Sequence, residues 1–157
     1  FADKSPIVLS RIFASDLATV CRRMPQLDSM IASQRAHAEY FEHNLKLDPR
    51  MLCRERPRAH YNRFMYPIIF PSTEQRDMIA AYLRSRGVGT SRPYEEVIIG
   101  AAEHYGYEGD CPAAERILRR ALVIPIFYTL KPKDIKHIVW SVNQGYSSSG
   151  GVRGTLP

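Results

Sequence analysis

The sequence predicts an α+β fold, a small antiparallel or mixed sheet covered by helices and reached through a long N-terminal helix. Three observations carry this reading. Phe64, Tyr66, Ile68 and Phe70 alternate with Arg63, Met65, Pro67 and Ile69, the two-residue period of a strand. Met78, Ile79, Tyr82 and Leu83 follow on one helical stripe. Ahead of both, Leu17, Val20, Cys21, Met24, Leu27, Ile31, Ala38, Phe41 and Leu45 keep helical spacing to about Leu47.

In chain order, residues 1–14 form a lead-in segment with apolar Ile7, Val8 and Leu9. Ser15 and Asp16 are suited to cap the long helix, 15–47. Pro25 removes one backbone hydrogen bond within it and should bend its axis. A helix this long beside a small domain serves as a spine to a second domain or subunit. Asp48-Pro49-Arg50 ends it and opens the small domain, 48–144. The basic run 50–60 reads as a loop leading into an edge strand. Arg54, Arg56, Arg58 and Arg63 near Tyr61 could instead be a nucleic-acid patch.

Pro67 cannot donate to a ladder, so its strand should have a free edge there. Pro71 stops that strand. Ser72 and Gln75 form a capping box for the next helix, and Gly87 ends it as a left-handed C-cap. Val88–Ser91 starts a second short strand, closed by the corner Arg92-Pro93-Tyr94. A short helix begins at Glu95 and gives way to a loop. Asp110 caps the following helix, with Pro112 in its first turn, Ala114, Ile117, Leu118, Ala121 and Leu122 as buried stripe, and a Glu115–Arg119 pair. Val123–Tyr128 is an extended apolar connector. The last helix has Pro132 at its first position and Ile135, Ile138, Val139 and Val142 facing inward. Residues 145–157 are rich in Gly and Ser and are expected to be a flexible tail.

The totals narrow the function. A chain of 157 residues with 45% apolar content makes one domain with a real core. It opens with Phe, as expected of a piece cut from a longer polypeptide or a processed one. No run is long enough to cross a membrane, and the opening residues show no signal-peptide pattern. Cys21, Cys53 and Cys111 suggest neither a disulfide framework nor a zinc site, and the five histidines are scattered, so a cytoplasmic setting and no metal are expected. A net charge of +6 suits a soluble basic surface or an anionic partner.

The stretch GYEGDCPAAERILRRALVIPIFYTLKPKDIKHIVWSV resembles the end of the DegT/DnrJ/StrS family of pyridoxal-phosphate-dependent sugar aminotransferases. The matching residues are Gly109, Asp110, Pro112, Ala114, Glu115, Ile124, Pro125, Phe127, Leu130, Asp134, Ile135 and Val139. Upstream, Gly87-Val88-Gly89-Thr90 is similar to the family's G-I-G-T. Ser15-Asp16-Leu17, Gln26-Leu27 and Ile31 through Arg35 resemble the start of its long helix. Order and spacing together cover about residues 7–144.

The resemblance implies the C-terminal small domain of a fold-type-I enzyme. The cofactor's lysine, the aspartate on its ring nitrogen and the stacking aromatic belong to a large domain outside this chain. None of Lys4, Lys46, Lys131, Lys133 and Lys136 stands where the family lysine would. The fragment alone should therefore be inactive. In the full-length enzyme it implies pyridoxal 5'-phosphate, a homodimer and a keto-sugar carried as a nucleotide-sugar, with this domain closing the cleft. A dehydratase or regulator of the same fold is an alternative.

Two departures mark candidate sites. Arg11 replaces an Asn that reaches the cofactor phosphate of the neighbouring subunit, and Phe13 replaces an Arg. Arg11 can make the same contact as a charge-assisted donor, or be a surface residue. Where the family has a His and an aromatic after G-T, this chain has Ser91-Arg92-Pro93-Tyr94. The resemblance puts Ser91, Arg92 and Tyr94 on the substrate side of the cleft. The alternative for Arg92 is an exposed structural corner. Glu103 and His104 read as surface residues. Beside the aminotransferase stand two other classes, a basic module binding nucleic acid or phosphorylated partners and a non-catalytic dimerisation domain.

Overall fold

The structure, a computed structural model, describes residues 13–93 and 95–149. Its spine is two helices, α1 (Ala14–Arg23) and α2 (Leu27–Asn44), joined by a 3-10 turn, Met24–Gln26, that contains Pro25. The proline thus interrupts the helix for one turn. Helix α1 is capped ahead of its polar residues: Phe13 is the N-cap and no side chain caps the first turn, so Ser15 and Asp16 lie inside it. No residue of α1 is buried, and Ala38 and Phe41 are the buried positions of α2. The spine therefore enters the body only with its C-terminal half. Its other apolar side chains, Phe13, Leu17, Val20, Met24 and Leu27, stand exposed along one side.

Strand β1 (Tyr66–Ile69) pairs antiparallel with β2 (Ala121–Ile124), Tyr66 opposite Ile124 and Ile69 opposite Ala121. Tyr66, Ile68 and Phe70 are buried, as the alternation requires, whereas Phe64 lies before the strand and is exposed. Pro67 faces Val123. Val123 exchanges both backbone bonds with Ser91, at 2.8 and 3.1 Å, so Pro67 sits at a non-bonded position of the β1–β2 ladder. Its missing N–H points to the far edge, where Leu52 makes a single bridge to Ile68. Val88–Ser91 contributes that one bridge at Ser91 rather than a strand. Strand β2 corrects the sequence reading of Ala121 and Leu122 as helix and of Val123 and Ile124 as connector. A four-residue apolar run carries no decisive period, and pairing with β1 settles it.

Helix α3 (Thr73–Ser85) begins where the Ser72 hydroxyl accepts the Gln75 amide at 3.2 Å. The return half of the box is absent, because the Gln75 side chain reaches Ser149 instead. Its end is a Schellman motif: Gly87 has φ +75°, its amide bonds Arg84 O, and the Val88 amide bonds Leu83 O. Helix α4 (Glu95–Tyr105) is longer than expected. Helix α5 (Pro112–Arg120) follows with Cys111, not Asp110, at its N-cap. The Cys111 amide donates to the Tyr107 hydroxyl, which bonds Glu115, and Glu115 pairs with Arg119 at 3.2 Å. Against expectation α5 buries nothing; Ala114 and Ile117 are exposed.

Helix α6 (Pro132–Ser148) packs Ile135, Ile138, Val139 and Val142 into the core. It continues through Gly145, which corrects the start of the expected tail. Gly145 is buried because Tyr82 of α3 lies over it. A Cβ there would come within 2.8 Å of the Tyr82 ring, so a helix-weakening residue is the one that fits. Asn143 joins α6 to the end of α2, accepting from the Lys46 amide at 2.7 Å and donating to Asn44 O at 3.0 Å. In the middle Phe41 meets Tyr66 edge-on, with centroids 5.2 Å apart.

A chain of charges fastens α2 to residues 53–63. Arg35 bonds Glu55 at 3.0 Å, and Glu55 also accepts the Tyr61 amide. Arg63 bonds Glu42 at 2.7 Å and Cys53 O at 3.1 Å and lies 3.6 Å from Glu55. The Arg63 side chain is 9% exposed and sits over the Tyr61 ring. It is thus no part of a basic surface; Arg54, Arg56 and Arg58 are exposed. Partial burial disfavours the Glu55 carboxylate, but the Tyr61 amide, Arg35 and Arg63 outweigh it and hold its pKa below the usual range.

Gly145→Ala should lower unfolding free energy by about 1–3 kcal/mol despite alanine's better helix propensity, because it overpacks against Tyr82. Denaturant titration measures it, and Gly145→Ala with Tyr82→Ala should cost less than the two changes added.

Arg63→Ala should cost about 3 kcal/mol, since it takes from Glu42 its 2.7 Å ion pair at a half-closed site. For Glu55 the folded pKa lies below the unfolded one. Its stabilisation is therefore full above the unfolded value of about 4.3 and is lost as pH falls through the folded value. Unfolding titrations below pH ~4.5 should give Glu55→Gln a flatter acid dependence than the parent.

Candidate functional site

The Schellman end of α3 turns the chain into the loop Gly87–Pro93, and the bridge at Ser91 seats that loop on the outer edge of β2. Beyond β2, Pro125 redirects the chain along Ile126 and Phe127 to the start of α6. Between these segments lies a groove of about 650 Å³. One wall is Gly87, Val88, Gly89, Thr90 and Ser91. The floor is Val123–Phe127, and Phe64, Met65, Leu130 and Ile138 close the sides. Most of this lining is apolar, with the loop backbone, Thr90 and Ser91 as polar elements.

The two titratable side chains in the groove are engaged. The Asp134 carboxylate accepts the Lys131 amide at 3.1 Å, at the first turn of α6 where negative charge is favoured. His137 lies 2.9 Å from Arg86 O and stacks on Trp140. Arg86 lies between the rings of Tyr82 and Trp140, 5.2 and 5.5 Å from their centroids. These contacts hold the rim.

The expected site residues do not converge on one point. Ser91 lines the groove. Arg92, next on an extended chain, faces away toward α3, where its Nη2 is 2.9 Å from Asp77 Oδ1. Arg11 and Tyr94 lie outside the described residues. Glu103 and His104 are well exposed and 3.9 Å apart, which is a surface pair.

A pyridoxal group requires a lysine, and none lines the groove. Lys46 follows α2, and Lys131, Lys133 and Lys136 sit on the exposed first turns of α6. The described residues therefore do not fit that cofactor by themselves. Among them no cluster of His, Cys, Asp and Glu could hold a metal, and no helix is long and apolar enough to cross a membrane.

Two features were missed in the sequence. The groove is one, because its walls come from four separated stretches. Asp77 is the other. It looks like any polar residue on the outer face of a helix, and only the fold brings Arg92 to it.

The family model described as the DegT/DnrJ/EryC1/StrS aminotransferase family matches residues 9–143. No curated protein matches the chain. Among solved structures it is similar to the aminotransferase TlmJ from Streptoalloteichus hindustanus, at 24% identity and a TM-score of 0.73, over 82% of this chain and 35% of that one. DesV from S. venezuelae is similar at 22% identity and a TM-score of 0.69, over 81% and 34%. Helicobacter pylori PseC, an aminotransferase involved in the biosynthesis of pseudoaminic acid, is similar at 15% identity and a TM-score of 0.65, over 82% and 36%. The chain thus spans about a third of the length of these structures and shares their fold over that third. With the expected α+β architecture, its two-stranded antiparallel sheet and its long first helices in place, the chain belongs to the DegT/DnrJ/EryC1/StrS aminotransferase family.

Proposed function

We propose that this chain is the C-terminal domain of a pyridoxal-phosphate-dependent sugar aminotransferase, and that its groove forms one wall of the substrate cleft. One observation carries the reading. Eight of the residues that match the family pattern come from three separate stretches, Gly87, Gly89 and Thr90 from the first, Ile124, Pro125 and Phe127 from the second, Leu130 and Asp134 from the third. All of them line the same groove. The other matches named for the end of the chain, Gly109, Asp110, Pro112, Ala114, Glu115, Ile135 and Val139, lie before and along α5 and on the core face of α6.

The substrate is a keto-sugar, carried as a nucleotide-sugar or a related compound. Apolar walls suit the faces of a sugar ring, and the loop backbone with Ser91 suits its hydroxyls. Arg92, exchanging Asp77 for the ligand and turning toward the groove, takes the anionic portion, and Tyr94 takes the ring. The opposite wall comes from a large domain elsewhere in the polypeptide, which supplies the lysine and most cofactor contacts. That domain covers the apolar side of α1, and closing it onto the groove excludes water. The enzyme is a homodimer in which Arg11 donates to the cofactor phosphate held by the other subunit.

Two tests separate the parts of this reading. The isolated chain, incubated with pyridoxal phosphate and reduced with borohydride, should carry no stoichiometric adduct by mass spectrometry. A single modified lysine would overturn the assignment of the cofactor lysine to another domain. In the full-length polypeptide, Arg11→Ala should weaken cofactor retention roughly 10- to 100-fold, as expected for losing a hydrogen bond to a charged group. Unchanged retention makes Arg11 a surface residue.

A further inference from the structure

The groove between Gly87–Ser91 and the start of α6 has few polar side chains, and their chemistry is one-sided. Among the described residues that line it, the polar side chains are those of Thr90, Ser91, Asp134 and His137, and there is no arginine or lysine. Thr90 and Ser91 carry hydroxyls, which donate or accept. Asp134 and His137 each use one atom to hold the fold and keep another for a ligand.

Asp134 Oδ2 accepts the Lys131 amide at 3.1 Å, which fixes the carboxylate at the first turn of α6. Its Oδ1 has no hydrogen-bond partner among the described residues. His137 Nε2 lies 2.9 Å from Arg86 O. A carbonyl oxygen only accepts, so Nε2 carries the ring proton, and Nδ1 of the neutral ring is left as an acceptor. Nδ1 likewise has no partner among the described residues. The stack on Trp140, with centroids 6.2 Å apart and planes 22° apart, fixes the plane of the ring. Three residues apart on α6, Asp134 and His137 are neighbours on the helix surface, with about 5–6 Å between Cβ atoms. The groove thus presents two held acceptors side by side, one of them anionic.

Two neighbouring acceptors call for two neighbouring donors. Adjacent hydroxyls on a sugar ring supply them, and the one that donates to the carboxylate makes the stronger, charge-assisted bond. A diphosphate supplies only acceptors and negative charge, which Asp134 repels. We propose that Asp134 and His137 form an acceptor pair that binds two neighbouring hydroxyls of the substrate's sugar ring, so that the groove takes the neutral sugar and the phosphates lie outside it. The inference rests on the reading of the groove as a wall of the substrate cleft.

The test uses the full-length polypeptide and two probes, uridine diphosphate glucose and uridine diphosphate, each titrated by calorimetry. The parent should hold the nucleotide-sugar more tightly than the diphosphate, and that difference is the sugar's contribution. Asp134→Asn keeps an oxygen for the Lys131 amide but puts a donor in place of the free acceptor. His137→Gln keeps a donor for Arg86 O but has no acceptor at the Nδ1 position. Each should weaken the nucleotide-sugar roughly 3- to 10-fold, as expected for losing one hydrogen bond, and leave uridine diphosphate unchanged. A purely structural role would not produce that split. His137→Asn, which returns an acceptor close to the Nδ1 position, should recover part of the loss. Melting temperatures are measured alongside, and the two positions are read separately, so either one decides if a variant at the other does not fold. Gly89→Trp tests the groove itself. A Cβ at Gly89 meets nothing within 4 Å, so an indole can stand in the groove and should erase the sugar's contribution. If Gly89→Trp erases it while Asp134→Asn and His137→Gln leave it, or weaken both probes alike, the acceptor pair is wrong and the groove remains the sugar site. If the parent holds the two probes equally, or Gly89→Trp changes neither, the reading of the groove fails and the acceptor pair falls with it.

Discussion

Phe41 against the sheet is the contact on which the rest of the structure depends. Its ring is fully buried, edge-on to Tyr66, where α2, β1 and α6 meet. Burying such a side chain contributes about 2–3 kcal/mol, a large part of a small domain's net stability. It also fixes the height at which the spine enters the body. Just beyond the helix the chain is drawn in: Leu45 and Leu47 reach the core, and Asn143 ties off the end of α2. Everything well N-terminal to it runs clear, which is why α1 exposes an apolar side that nothing in the described chain covers.

The charge chain from Arg35 to Glu42 sets the rotation of the spine where Phe41 sets its height. Arg35 and Glu42 lie on one face of α2 and meet Glu55 and Arg63 from the loop beside it. Arg63 needs a left-handed backbone, φ +58°, to reach inward, an unfavourable conformation that the two carboxylates and the Tyr61 ring offset. Tyr66 lies beneath this cluster. Burial, and then the nearby Glu42 charge, push its phenol pKa above the ordinary value, so it remains neutral. The charges are thus absorbed by the fold and do not form an outward basic surface.

What could be read from the sequence was mostly local. The alternation around Ile68, the cap at Ser72, the stop at Gly87 and the inward stripe of α6 each follow from residues within a turn or two of one another. What could not be read depended on partners far along the chain. Strand β2 is a strand because β1 lies beside it. Gly145 looked like the start of a tail because glycine usually breaks helices, but Tyr82 requires a residue without a side chain there. Arg63 looked like one more basic residue until Glu42 and Glu55 came to it. At the site, the motif residues were visible one stretch at a time. Their convergence on one groove needed the antiparallel sheet, and the Asp77–Arg92 contact needed the loop to double back along α3.

The groove and the uncovered spine describe the same thing from two ends. One is a wall without its opposite wall, the other an apolar helix face without its cover, and a single large domain would complete both. Hydrogen exchange tests this most directly, followed on the isolated chain and on the full-length polypeptide. The account predicts slow amides in β1, β2, α6 and the second half of α2 in both. Residues 17–23 of α1 should exchange quickly in the isolated chain and become protected in the longer one. Equal protection of α1 in the two, or fast exchange in both, would contradict it.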